Sequence, residues 1–188
     1  KHQGNEHTQV VAIAGDGGTV DIGIQSLSGA MERNDNILYI CYDNEAYMNT
    51  GVQGSSSTPL GASTTTTPAG KPVNNKDLIQ IVMAHHVPYA ATASVANLSD
   101  LRKVQKAKEV KGCRVLHIMS PCPTGWGYKM NKTVEVAREA IESGAWVLLE
   151  YENGKIKLGK KPSKLGDIEN YFSLQKRFRG TIIPRLYF

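Results

Sequence analysis

Short apolar runs ending in Gly, Asp or Ser alternate along this chain with longer segments in which apolar residues recur at helical spacing. The alternation predicts an α/β fold, a doubly wound and mostly parallel sheet with helices on both faces. Val10–Ala14 reads as a buried first strand. Asp21–Arg33 carries Ile22, Ile24, Leu27, Ala30 and Met31 in helical order, with Thr19 or Asp21 as its cap. Ile37–Tyr42 is the second strand, and its near-continuous apolar character fits a strand covered on both faces. Lys76–Ala84 reads as a helix and Pro88–Thr92 as a third strand. Ser99 then caps a charged amphipathic helix through Val110, in which Leu101, Val104, Ala107 and Lys108 set the inner and outer faces. Val115–Met119 is a strand, Thr133–Ser143 a helix ended by Gly144 in a left-handed position, and Ala145–Tyr151 a further strand. Glu152-Asn153-Gly154 is a hairpin-type turn signal, and Ile168–Arg179 a terminal helix.

One segment breaks the rhythm. Tyr47–Pro72 is rich in Gly, Ser, Thr and Pro and contains the run Thr64-Thr65-Thr66-Thr67. Loops of this length in a compact domain are functional or disordered. Its place directly after a strand end argues for function, because ligands of open α/β sheets bind beyond the carboxyl ends of the strands.

With 188 residues and 40% hydrophobic content, the chain is one domain's worth of material. We expect an α/β domain over residues 1–151 and a basic extension over 152–188 packed on it. The formal charge of +5 is concentrated after Glu150. There Lys155, Lys157, Lys160, Lys161, Lys164, Lys176, Arg177, Arg179 and Arg185 outnumber Glu152, Asp167 and Glu169. Such a segment is either a solvated tail or a docking face for something acidic. Tyr171, Phe172 and Phe178 alternate like packing residues rather than a stacking platform, so no nucleic-acid partner is expected. No apolar run approaches the roughly 20 residues a membrane helix requires, and no membrane partner is expected. Cys41, Cys113 and Cys122 are an odd number without regular spacing, which argues against a disulfide framework and fits a reducing cytoplasm. The chain opens on Lys1 close to its first strand, and we expect an upstream part to precede it.

The chemistry concentrates at two strand ends. Gly15-Asp16-Gly17 closes the first apolar run, and Asp43-Asn44-Glu45-Ala46 closes the second. A carboxylate, a side-chain amide and a backbone carbonyl from neighbouring strand ends suit one Mg²⁺, which takes oxygen ligands and shares them with phosphate oxygens. Gly15, Gly17 and Gly18 remove side chains where backbone amides approach an anion at the start of a helix. A Gly-Asp-Gly tripeptide alone is an ordinary tight turn; the strand-turn-helix context and the pairing with Asn44 sharpen it.

These positions resemble the signature of thiamine diphosphate enzymes, which opens with Gly-Asp-Gly and closes with Asn. Gly15-Asp16-Gly17-Gly18-Thr19, Asp21-Ile22-Gly23, Leu27-Ser28-Gly29-Ala30 and Tyr39 through Gly51 narrow the likeness to the 2-oxoacid:ferredoxin oxidoreductases. Thr58-Pro59, Gly61-Ala62, Gly70-Lys71, Ala84-His85, Pro88-Tyr89, Ala91 through Ser94, Pro121 through Trp126 and Gln175-Lys176-Arg177-Phe178 extend it over nearly the whole chain. The match resembles the carboxyl-terminal part of the beta subunit, of the pyruvate or branched-chain kind. Gly54 departs from it, standing where many relatives carry Arg.

The resemblance implies that Asp16, Asn44 and the Ala46 carbonyl hold Mg²⁺, and that Gly15, Gly17 and Gly18 lie against the diphosphate of thiamine diphosphate. It places Asn49 at the reacting end of the cofactor as a catalytic residue, with Thr50 beside it. It makes Cys122 one ligand of a 4Fe-4S cluster whose other cysteines lie upstream; on composition alone, a cysteine between two prolines is more often a buried or idle thiol than a metal ligand. The implied reaction is oxidative decarboxylation of a 2-oxoacid, pyruvate first and 2-oxoisovalerate second, to acyl-coenzyme A, with electrons passed to ferredoxin. The implied partners are an alpha subunit, which supplies the carboxylate facing the aminopyrimidine, and gamma and delta subunits. The basic segment, with Lys160 and Lys161, is a weaker candidate for docking acidic ferredoxin. Two other classes stay open: a non-redox thiamine diphosphate lyase or synthase, which has no use for Cys122, and a non-catalytic α/β interaction domain. His85-His86 and His117 read as structural, Cys41 and Cys113 as buried thiols, and His2 and His7 as part of a disordered start.

Overall fold

The computed structural model describes residues 8–159 and 162–180. The expectations for His2, His7, Lys160, Lys161 and Arg185 fall outside them. Among the described residues six strands form one sheet in the order β1-β2-β4-β3-β5-β6. They are β1 (Val10–Gly15), β2 (Ile37–Asp43), β3 (Tyr89–Ser94), β4 (Arg114–Met119), β5 (Leu149–Glu152) and β6 (Lys155–Leu158). The first four run parallel, while β5 and β6 add an antiparallel edge. The mostly parallel α/β sheet therefore matches the architecture read from the pattern.

The helices are α1 (Ile24–Glu32), α2 (Leu78–Ala84), α3 (Leu101–Glu109), α4 (Pro123–Trp126), α5 (Thr133–Glu142) and α6 (Ile168–Ser173). Leu27 and Met31 of α1 and Leu78, Ile79 and Val82 of α2 pack on Cys41, Ala90 and Val115 on one face of the sheet. Val104 and Ala107 of α3 cover Leu38, Ala91 and Leu116 on the other. Burial of these side chains drives the layering, at roughly 25 cal/mol per Å² of apolar surface removed from water. A third cluster joins Met119, Trp126, Val136, Ala140 and Tyr171, so the segment after β6 packs back onto α4 and α5.

Several expectations need correction. β1 is not a buried strand: Val10, Val11 and Ile13 are 52%, 47% and 66% exposed. It is the edge strand, bonded to β2 on one side, and the cluster under α3 takes residues of β2, β3 and β4 but none of β1. An apolar run reports that a strand suits burial but not which neighbours bury it. Tyr42 in β2 is likewise exposed. The first helix begins later than Asp21, because Gly17–Asp21 forms one wide π-type turn and Gly23 precedes α1 without a side-chain cap. Thr19 instead donates to the Gly15 carbonyl at 2.7 Å, and Asp21 accepts from Tyr47. Ser99 does not cap α3; its hydroxyl donates to Asn97 at 2.7 Å. The Ala145–Tyr151 strand shortens to Leu149–Glu152, and the terminal helix breaks into α6 and a single 3₁₀ turn at Lys176–Phe178. Gly144 takes the expected left-handed backbone at φ +81, and Asn153 and Gly154 close the β5–β6 hairpin at φ +47 and +82. His85 is structural, bridging Ser28 and the Ile81 carbonyl at 2.8 Å each.

The amino ends of the strands are tied by a side chain that the periodicity does not reveal. Arg114 is fully buried at the start of β4. It donates to the Ala107 carbonyl at 3.0 Å, to Asn36 at 2.6 Å, to Gln9 at 2.9 Å and to the Gly112 carbonyl. One guanidinium thus joins the approaches to β1 and β2 with the end of α3. Truncation removes the donor to the buried Ala107 and Gly112 carbonyls, so Arg114→Ala is expected to cost on the order of 3 kcal/mol in urea unfolding followed by circular dichroism.

Candidate cofactor site

Parallel pairing of β1 with β2 places Gly15 opposite Tyr42, so the residues that follow each strand leave the sheet side by side. Asp16 follows β1 and is 1% exposed. Asn44 follows β2, and its outermost side-chain oxygen position lies 2.7 Å from the Ala46 carbonyl oxygen and 3.1 Å from Asp16 Oδ1. With nitrogen turned to that position, Asn44 donates to both oxygens. With oxygen there, three oxygens face one point, which is the donor chemistry of a hard divalent cation.

A ring of hydroxyls steadies these groups. Ser55 Oγ donates to Asp16 Oδ2 at 2.5 Å, and Ser57 Oγ donates to Asp43 Oδ2 at 2.9 Å. The Glu45 amide donates to Asp43 Oδ1 at 2.8 Å, and Thr58 Oγ1 donates to the Glu45 carbonyl at 2.6 Å. His117 Nε2 lies 2.6 Å from Asp43 Oδ2, so this strand histidine is satisfied by a carboxylate as its apolar setting requires. Burial, and next the Asp43 carboxylate, push Asp16 from 3.8 up to about 7, against the pull of the Ser55 hydrogen bond. Two buried carboxylates beside a carbonyl and an amide oxygen repel one another, and a cation removes that repulsion.

The sequence profile of the thiamine pyrophosphate enzyme C-terminal TPP-binding domain matches residues 2–118. The chain belongs to this family. Among curated relatives, pyruvate synthase subunit PorB of Methanothermobacter thermautotrophicus is 54% identical over 187 residues, covering 95% of this chain and 64% of the relative. Ketoisovalerate oxidoreductase subunit VorB of Pyrococcus abyssi is 51% identical over 189 residues, covering 95% of this chain and 60% of the relative. The chain thus spans less than two-thirds of the length of either. In fold it is similar to the 2-oxoglutarate:ferredoxin oxidoreductase of Magnetococcus marinus, solved with 2-oxoglutarate, coenzyme A and succinyl-CoA bound. The TM-score is 0.57 at 21% identity, over 80% of this chain and 56% of that one.

The remaining residues of this thiamine pyrophosphate domain's expected site are placed as follows. A Cβ on Gly17 would stand 2.3 Å from the Tyr47 ring, whose hydroxyl donates to Asp21 at 2.9 Å and to the Gly17 carbonyl at 3.2 Å. Glycine at 17 therefore admits an aromatic ring against the turn, while Gly18 meets only Ala14 at 3.8 Å. A Cβ on Gly15 would stand 3.7 Å from the Tyr42 ring, in ordinary contact. Asn49 and Thr50 sit in an exposed turn closed by the Tyr47–Gln53 bridge, with Thr50 Oγ1 donating to Gln53 at 2.6 Å. Among the described residues, neither bonds to the three-oxygen cluster. Cys122 is half-buried ahead of α4 against the third core cluster. No three His, Cys, Asp or Glu side chains gather as a metal site among the described residues, so Cys122 has no companion thiolates here. Cys41 and Cys113 are buried, and burial raises both thiols, Cys113 to about 11.

Pattern reading did not identify Ser55, Ser57, Thr58, Trp126 or Arg177 as site residues. Trp126 Nε1 donates to the Asn44 carbonyl at 2.7 Å, and Arg177 pairs with Glu45 at 2.5 Å. The signal available was the serine run of 55–57 following the Asp-Asn-Glu-Ala strand end, which reads equally well as a flexible linker.

The raised Asp16 carboxyl has a consequence for the metal-free protein. Its folded value lies above its unfolded one, so the stability tied to it is fully present below about pH 4 and is lost as pH rises through about 7. Asp16→Asn is expected to abolish that part of the decline and to raise metal-free stability at pH 8 by on the order of 2 kcal/mol. Denaturant titrations of both forms from pH 4 to 8 check this; parallel pH profiles would contradict it.

Proposed function

We propose that this chain holds Mg²⁺ and the diphosphate of thiamine diphosphate in a 2-oxoacid:ferredoxin oxidoreductase. The observation that carries the reading is the meeting of Asp16 Oδ1, the Asn44 side chain and the Ala46 carbonyl within 3.1 Å at adjacent strand ends. The donor set fits the ion: all oxygen, one charge, and exposed enough at Asn44 for phosphate and water oxygens to complete an octahedron. Gly15, Gly17 and Gly18 bring backbone close to the diphosphate, and Asn49 and Thr50 face its reacting end in the assembled enzyme. The Tyr47–Lys71 loop covers the cofactor. Lys71 stakes that loop by donating to the carbonyls of Ser55, Ser56 and Thr58 at 3.1, 3.2 and 2.7 Å.

Bound thiamine diphosphate supplies the carbon nucleophile and electron sink for decarboxylation. This chain's residues anchor it, exclude water from the diphosphate and fix its orientation. Pyruvate is the first substrate and 2-oxoisovalerate the second, in line with the names of the two relatives. The acyl group passes to coenzyme A and the electrons to ferredoxin, with Cys122 as one thiolate of a 4Fe-4S cluster completed outside this chain. An alpha subunit, joined by gamma and delta subunits, contributes the carboxylate that faces the aminopyrimidine. The assembly is cytoplasmic; among the described residues, no helix is long and apolar enough to cross a membrane.

Calorimetric titration of the assembled enzyme with thiamine diphosphate is expected to give heat with Mg²⁺ present and little without it, and Asp16→Asn is expected to abolish the response. Cys122→Ser is expected to lower iron content and remove a cluster signal in electron paramagnetic resonance while Mg²⁺-dependent binding persists. Unchanged iron would favour the non-redox lyase reading, and absence of binding heat in the wild-type assembly a non-catalytic domain.

A further inference from the structure

Glu45, between the Asn44 side chain and the Ala46 carbonyl, has φ +64. That left-handed backbone is unfavourable for a residue carrying Cβ and is normally given to glycine. It is what turns the chain so that residues on either side of Glu45 present oxygens to one point. Something must hold it there.

We propose that Arg177 is a positioning residue for the cation turn, acting through Glu45. The proposal rests on the reading that Asp16, Asn44 and Ala46 bind the cation. Glu45 Oε2 pairs with Arg177 Nη2 at 2.5 Å, with both side chains nearly excluded from solvent at 9% and 4%. Neighbouring side chains hold the guanidinium in place. It lies 3.7 Å from the Trp126 ring centroid and 4.9 Å from that of Phe178, and its Nε donates to Gln175 Oε1 at 2.8 Å. Its own carbonyl accepts from the Ser63 amide at 2.7 Å. Trp126, under the guanidinium, donates in turn to the Asn44 carbonyl. Two successive residues of the cation turn are therefore held by one stacked unit, Trp126 on Asn44 and Arg177 on Glu45.

A buried ion pair of this kind adds little net stability over well-packed apolar residues, because desolvation cancels much of the attraction. What it adds is direction: a planar fork held against an aromatic face fixes where the carboxylate, and with it the strained backbone, must sit. Lysine keeps the charge and loses the fork and the stack. This gives the Gln175-Lys176-Arg177-Phe178 motif, far from the strand ends in sequence, a role in ion binding.

The test uses the assembled enzyme carrying Arg177→Lys or Arg177→Met. The Mg²⁺ concentration for half-saturation of thiamine diphosphate binding is read by calorimetry, and backbone exchange at residues 44–46 by hydrogen–deuterium mass spectrometry. Both variants are expected to need about 10- to 100-fold more Mg²⁺, as for lost outer partners of metal ligands. Binding returns at high Mg²⁺ and residues 44–46 exchange faster; the metal-free melting temperature stays near wild type in Arg177→Lys, whereas Arg177→Met lowers it by leaving the buried Glu45 carboxylate without a cation. Glu45→Gly is expected to keep Mg²⁺ affinity, since glycine adopts the left-handed backbone unaided, and adding Arg177→Met to it is expected to change affinity little further. Wild-type half-saturation in Arg177→Lys, or equal losses from Arg177→Met with and without Glu45→Gly, would overturn the proposal. Should Arg177→Met fail to assemble, the lysine variant decides. If the wild-type assembly itself shows no Mg²⁺-dependent binding, the cation reading fails; wild-type binding with unaltered Arg177 variants removes this proposal alone.

Discussion

Repulsion among oxygens gathered at two strand ends is the constraint around which this molecule is organised. Asp16 and Asp43 are buried within electrostatic reach of each other, beside the Asn44 side chain and the Ala46 carbonyl. A fold that only needed stability would not collect them in one dry place. Hydroxyls of Ser55 and Ser57, the Glu45 amide and His117 take up part of the cost, but each leaves the point where Asp16 Oδ1, Asn44 and Ala46 meet. With its nitrogen turned inward, the Asn44 amide donates to the Asp16 and Ala46 oxygens at that point.

The sheet makes the meeting possible. Because β1 and β2 are adjacent and parallel, their carboxyl ends lie side by side, and residues a helix apart in sequence become neighbours. Parallel pairing requires the α1 crossover, and the glycines after Asp16 let that crossover begin in a wide turn with the Tyr47 ring seated against it. The segment after β6 completes the frame by returning Tyr171, Arg177 and Phe178 to α4 and the cation turn. Local strand ends supply the donors, and distant parts of the chain fix their aim.

Much of this was legible in the sequence, for identifiable reasons. Helices and parallel strands follow from period, and Asp16 and Asn44 stand where a strand must end. Gly144 and the Asn153-Gly154 hairpin follow from backbone rules that hold without tertiary context. What failed was whatever depends on neighbours. The apolar β1 was read as buried because its composition suits burial, yet it lies at an edge. Thr19 and Ser99 have capping chemistry, but nearer acceptors, the Gly15 carbonyl and Asn97, take their hydroxyls. Arg114 and Arg177 could not be told from solvated charges, since only the folded chain brings their acceptors around them.

Whether one ion joins these three oxygens is decided by growing crystals of the assembled enzyme with Mn²⁺ in place of Mg²⁺ and thiamine diphosphate, and locating the metal by anomalous scattering. A single peak is expected at this site, within about 2.2 Å of Asp16 Oδ1, Asn44 Oδ1 and the Ala46 carbonyl, the remaining ligands being phosphate and water oxygens. A peak elsewhere, or a diphosphate-bound metal that leaves the Asn44 amide turned with nitrogen toward Asp16, would contradict it.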